Sequence, residues 1–130
     1  MKQQHGFTLI EVLITMAIFS IGILALTALQ ISGMSSNQFA RTLAHASTLA
    51  GDKIEKLMLI DSGDDLLTAG DHIEDPAPTE GQITYNMVWT VTDDVPTTGA
   101  KTVDIRITWN YNGKDRLLNL KYIKGNRGAS

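Results

Sequence analysis

No cysteine occurs among the 130 residues, so the chain has neither a disulfide nor a thiolate metal ligand, and any compact part must fold without covalent staples. Proline is scarce, with three residues in all and none between positions 7 and 60, so nothing there obliges a helix to stop. Charge is absent from residues 12–40, which hold no Asp, Glu, Lys or Arg. Basic residues are absent from 61–82, which carry seven acidic ones. A net charge of −3 argues against a nucleic-acid partner, which would need a clustered basic face to neutralise its phosphates. An enzyme needs a nucleophile with its base, or paired acids in a cleft, and the pattern offers neither. His5, His45 and His72 are scattered and read as solvated side chains, so neither a metal nor another cofactor is implied.

What is present is first an apolar run, FTLIEVLITMAIFSIGILALTALQI, over residues 7–31. Its uncharged part, Val12 to Ile31, is 20 residues, or roughly 30 Å of helix, the thickness of one hydrocarbon core. Lys2 precedes the run and Arg41 follows it, which favours a cytoplasmic N-terminus. An ordinary secretory signal is cleaved after its apolar stretch. Here the polar leader is only residues 1–6, and Glu11 lies inside the run. A carboxylate deep in a membrane costs about 2.5–3.5 kcal/mol and calls for a partner. The nearest conceivable cation is a new amino terminus at Phe7, one helical turn back, which exists only if the chain is cut between Gly6 and Phe7.

The segment His5-Gly6-Phe7-Thr8-Leu9-Ile10-Glu11 resembles the prepilin motif of type IV pilins and type II secretion pseudopilins. The resemblance implies cleavage by a prepilin peptidase after Gly6, N-methylation of Phe7, and an assembly role for Glu11 against the amino terminus of a neighbouring subunit. Further along, Ser20-Ile21-Gly22-Ile23-Leu24 and Leu29-Gln30 look like the minor pilins described as type IV pilus modification proteins, PilV-like. Many major pilins have a proline at a kink position, and this run has none.

Beyond the membrane run the same helix is expected to continue, roughly 80 Å in all. Phe39, Leu43, Ala46, Ala50, Ile54 and Leu57 recur at helical spacing and form one apolar stripe for a sheet to cover, with Arg41, Asp52, Glu55 and Lys56 mostly elsewhere. Gly22 and Gly33 each weaken the helix by about 1 kcal/mol relative to alanine. They are consistent with local melting or bending, with close helix contact, or with simple tolerance. Residues 61–82, with three glycines and two prolines, read as a connecting loop. Their acids, Asp61, Asp64, Asp65, Asp71, Glu74 and Asp75, with His72, fit no calcium-loop spacing and read as a solvated surface.

The period then switches to two. Ile83, Tyr85, Met87, Trp89 and Val91 alternate with polar residues, Val88 being the exception, and Val103, Ile105, Ile107, Trp109 and Tyr111 alternate again. Asn112-Gly113 is a two-residue hairpin turn. Closing it with Tyr111 and Lys114 predicts Ile107 opposite Leu118, Ile105 opposite Leu120, Val103 opposite Tyr122, Trp109 opposite Arg116 and, on the outer face, Asp104 opposite Lys121.

The expected fold is α+β, a long N-terminal helix, transmembrane then amphipathic, packed on a three-stranded antiparallel sheet. The organisation reads as leader 1–6, transmembrane and assembly helix 7–31, amphipathic continuation 32–60, acidic loop 61–82, sheet 83–124 and polar tail 125–130. The expected function is that of a minor pilin of a type IV pilus, not an enzyme, processed by prepilin peptidase and assembled through its N-terminal helix. The alternatives are a type II secretion pseudopilin or, in another class, a membrane-anchored binding domain or enzyme. Expected partners are the peptidase, other pilin subunits, the inner-membrane assembly machinery and the lipid bilayer. The expected location is the inner membrane as a single span, then the pilus, periplasm or cell surface.

Overall fold

The computed structural model describes residues 6–125, and the chain divides into two units, Met1–Ala40 and Arg41–Ser130. Lys2 and His5 of the expected leader, and residues 126–130 of the expected tail, lie outside the described residues. One α-helix, α1 (Leu9–Leu59), supplies most of the first unit and opens the second. A one-turn 3-10 helix (Asp65–Leu67) follows, then β1 (Gly70–Ile73), β2 (Thr79–Glu80), β3 (Ile83–Thr84), β4 (Asn86–Asp93), β5 (Lys101–Tyr111) and β6 (Lys114–Lys124). The architecture is α+β, a long N-terminal helix and an antiparallel sheet, as the periodicity predicts.

The sheet has four strands in the order β1-β4-β5-β6, not the three expected. The added edge strand, β1, comes from the acidic segment that reads as a loop. Its sequence, Gly-Asp-His-Ile, has little strand propensity, and tertiary partners override that. Asp71 accepts a hydrogen bond from the Thr90 hydroxyl at 2.6 Å on one face. On the other, His72 stacks on Trp89 with ring centres 5.3 Å apart. The run expected as one strand from Ile83 is also interrupted. Ile83 and Thr84 pair with Thr79 and Glu80 in a separate two-stranded ladder, and the Tyr85 N–H donates to the Pro78 carbonyl at 2.8 Å before β4 begins.

The hairpin of β5 and β6 has the register its turn dictates: Tyr111 faces Lys114, Trp109 faces Arg116, Ile107 faces Leu118, Ile105 faces Leu120, Asp104 faces Lys121 and Val103 faces Tyr122. Asn112 and Gly113 have φ of 52° and 72°, the two positive values a type I′ turn requires. The Asn110 side-chain Oδ1 accepts from the Gly113 N–H at 3.1 Å, which pins the turn from one side chain.

The core of the second unit is built from Ala46, Ala50 and Leu57 of the helix, Leu67 of the 3-10 turn, Tyr85, and the inward residues of β4 and β5. Small residues at 46 and 50 leave room for the rings of Trp89 and Trp109. The helix face that packs is displaced by about a residue from the predicted stripe. Thr42 and Lys53 are buried, whereas Leu43 is exposed and Phe39 only half-buried. Polar contacts cause the displacement. The Trp109 indole N–H needs an acceptor once buried and finds the Thr42 hydroxyl at 3.2 Å. Lys53 lies 3.6 Å from the centre of the Trp89 ring and pairs with Glu74, so its ammonium is balanced by a carboxylate and a π face. The Trp89 N–H in turn donates to the Leu66 carbonyl at 3.0 Å. At the helix end, Lys124 donates to the carbonyls of Leu57, Met58 and Ile60, groups with no partner inside a helix.

The hydroxyls of Tyr85 and Tyr122 are buried without a hydrogen-bond partner among the described residues. Burial, and for Tyr85 also the nearby Glu80 carboxylate, raises the pKa of both. Because the fold holds these phenols protonated, their contribution to stability is full below the free-tyrosine value of about 10 and is lost as pH rises through the raised value. Stability is therefore expected to fall steeply above pH ~10. Tyr85→Phe removes an unsatisfied group that costs about 1–3 kcal/mol when buried. It should match or exceed wild-type stability and blunt the alkaline fall; denaturant midpoints of the full chain in detergent at pH 8 and pH 11 check both.

Candidate functional site

The residues singled out from the sequence, Gly6, Phe7 and Glu11, fall at the start of the first unit. Residues 6–8 are non-helical and exposed, and α1 begins at Leu9. The start has a local cause that the sequence reading overlooked. Thr8 is the N-cap: its hydroxyl accepts from the Glu11 N–H at 3.3 Å, and its carbonyl accepts from the N–H groups of Glu11 and Val12. Thr8-Leu9-Ile10-Glu11 has the spacing of a capping box, threonine at the cap and glutamate three residues on, and that spacing is visible in the sequence. Glu11 sits in the first turn, where the positive end of the helix dipole favours a carboxylate. The Gly6–Phe7 bond is thus presented on exposed, non-helical chain immediately ahead of a capped helix. Nothing lies within 4 Å of the position a side chain would take at Gly6, and Phe7 is 81% exposed. The fold itself does not require glycine at this position.

From Val12 to Ile31 the helix carries large apolar side chains, and none of its most apolar stretch is buried within the protein. Its length and composition suffice to cross a membrane. The hydroxyl side chains along it are satisfied internally. Thr15, Ser20 and Thr27 donate to the carbonyls of Glu11, Met16 and Ile23, one turn back, at 2.7, 2.7 and 2.9 Å. An unmet hydroxyl in hydrocarbon would cost several kcal/mol, so this back-bonding is what makes the segment compatible with lipid. Gly22 and Gly33 have no atom within 4 Å of an added side-chain carbon, so neither is held by close contact inside this chain.

Elsewhere the titratable groups serve the fold. Contrary to the sequence reading, His45 and His72 are not simply solvated. The His45 ring lies 5.0 Å from that of Tyr85 and its Nδ1 is 3.3 Å from Glu80, while His72 stacks on Trp89 with Nε2 2.9 Å from the Thr68 carbonyl. Asp64 caps the 3-10 turn through the Leu66 N–H, and Glu74 holds Lys53. The acids therefore diverge, and among the described residues no three His, Cys, Asp or Glu side chains gather as metal ligands would. Two surface clefts of about 610 and 730 Å³ exist, one lined chiefly by neutral polar groups of Gln82, Thr84, Asn86 and Thr108, the other by Met58, Leu59, Tyr122 and Ile123. No histidine or cysteine lines either.

Comparison with known proteins bears on this first segment alone. Residues 1–27 match the family model described as the prokaryotic N-terminal methylation motif. No curated protein and no solved structure matches the chain. The N-terminal segment is thus prepilin-like: a motif read by the processing and methylating enzyme, followed by an apolar helix suited to membrane anchoring.

Proposed function

We propose that this chain is a minor pilin of a type IV pilus. The observation that carries the reading is the conjunction at the N-terminus: a methylation motif over residues 1–27 overlaps an apolar helix that is exposed among the described residues. The precursor spans the inner membrane once, with residues 1–6 on the cytoplasmic side. Prepilin peptidase cuts after Gly6 and methylates the amine of Phe7. The apolar helix then leaves lipid for a bundle of neighbouring helices, where Glu11 pairs with the amine of an adjacent subunit, and the sheet-bearing unit stands outside. The prepilin-like segment running into an exposed apolar helix supports a structural subunit. The same N-terminal features serve a type II secretion pseudopilin equally well, so that reading stands second.

The test is N-terminal mass analysis of the protein from its native membrane, with and without the prepilin peptidase. The expected mature chain begins at methylated Phe7 only when the peptidase is present. An intact Met1 in both strains would overturn the reading and leave a plain anchored domain. In a strain lacking the protein, lost piliation with secretion intact is expected; the reverse outcome assigns the chain to secretion.

A further inference from the structure

Opposite edges of the sheet carry opposite charge. The β6 edge bears Lys114, Arg116, Lys121 and Lys124 against a single acid, Asp115. It is an eleven-residue strand with no strand paired on its outer side among the described residues. An antiparallel ladder turns the N–H and C=O of every second residue of such a strand outward. The other edge is β1 with its flanking segments, a stretch that contains no lysine or arginine. There Asp71 and Asp75 are exposed, and neither is paired with a cation among the described residues. Asp71 and Lys121 moreover close the two ends of one cross-strand row on the outer face, Asp71-Thr90-Asp104-Lys121.

We propose that this unit associates head to tail with a second copy of the chain, the basic β6 edge of one against the acidic β1 edge of the next. This deepens the filament-subunit reading and rests on it. Of the three ways two such edges can meet, β6 on β6 sets lysine against lysine and β1 on β1 sets aspartate against aspartate. Both are penalised by like-charge repulsion. Only β6 on β1 is matched, and it brings Lys121 of one copy, an exposed cation that lies 3.3 Å from Asp104 of its own chain, to Asp71 of the other, continuing the row. A contact between two different patches leaves one free edge on each copy, so it extends to further copies, as a ring if the rotation closes and as an open array if it does not. The occupant is a second copy because both complementary edges reside on this one chain.

The test uses the full-length chain in its native membrane. Exposed residues of the neighbouring row, Ile73 on the β1 edge and Asn119 on the β6 edge, leave every charge in place when changed and meet no native cysteine. Two differently tagged versions, one with Ile73→Cys and one with Asn119→Cys, are co-expressed and treated with a short bismaleimide. The expected product joins 73 to 119 across two copies. It is lost with Asp71→Lys or Lys121→Asp alone and regained when both changes are in the same chain, and it weakens at high salt. Bands joining 73 to 73 or 119 to 119 only, no band, or a 73–119 band indifferent to charge reversal each overturn the proposal. Mass analysis of the same sample separates the two levels. Chains cut at Phe7 without the cross-link sink only the edge pairing, whereas uncut chains sink the reading beneath it.

Discussion

Trp89→Ala is expected to destabilise the sheet-bearing unit by about 3–5 kcal/mol, the range for deleting a buried large aromatic. That is a large share of the 5–15 kcal/mol that holds a typical domain together. The ring is 2% exposed and serves as the common wall for three elements. Lys53 of the helix lies over it, His72 of β1 stacks on it, and its N–H holds the 3-10 turn at Leu66. Removing it leaves the Lys53 ammonium with Glu74 alone, in a site no longer shielded by a π face. Trp89→Phe keeps most of the wall and loses the hydrogen bond, so about 1–2 kcal/mol is expected. Limited proteolysis of the full chain in detergent reads the difference. With alanine, cutting should appear within residues 61–82, because β1 and the turn are released together. Alanine variants as resistant as wild type would show that the ring is not the wall described.

Glu11→Val is expected to leave membrane insertion and cleavage after Gly6 unchanged and to reduce incorporation into filaments by roughly a hundredfold or more. Magnitudes separate the first-turn role of this carboxylate from the assembly role proposed for it. As a first-turn acid at the positive end of its own helix it contributes about 0.3–1 kcal/mol. As the partner of a neighbour's amine in an apolar bundle, its loss strands a charge at about 3–5 kcal/mol, and every 1.4 kcal/mol is tenfold in an equilibrium. A modest loss, within about fivefold, would mean that capping is all Glu11 does. Comparing sheared filaments with membrane-retained protein by immunoblot, alongside N-terminal mass, distinguishes failed docking from failed processing.

Much of this molecule is legible before folding is considered. The hairpin register follows from Asn112-Gly113, since a two-residue turn and a period of two leave one alignment. The long helix follows from the absence of proline and the apolar run. Edge strand β1 is not legible, because Gly-Asp-His-Ile carries no alternation of its own and is recruited by Thr90 and Trp89. Thr42 and Lys53 escape notice for a related reason. An apolar stripe is counted by hydrophobic residues, while these two enter the core as partners of indole rings that only the folded chain puts in place. At the N-terminus, Gly6, Phe7 and Glu11 stand out through their motif, and Thr8 could have been recognised from cap spacing alone.

The self-contained hydroxyls of the apolar helix set how that helix meets its surroundings. A serine that reached across to another helix would lock one rotation and one height, as a key does. Thr15, Ser20 and Thr27 are turned inward on their own backbone, so they impose no such alignment. The helix can slide and turn against a neighbour over a surface of aliphatic knobs with little to choose between adjacent positions. In the assembly proposed above, registration of the segment falls to its charged end at Glu11, in the way a bolt shaft is smooth and its head is keyed.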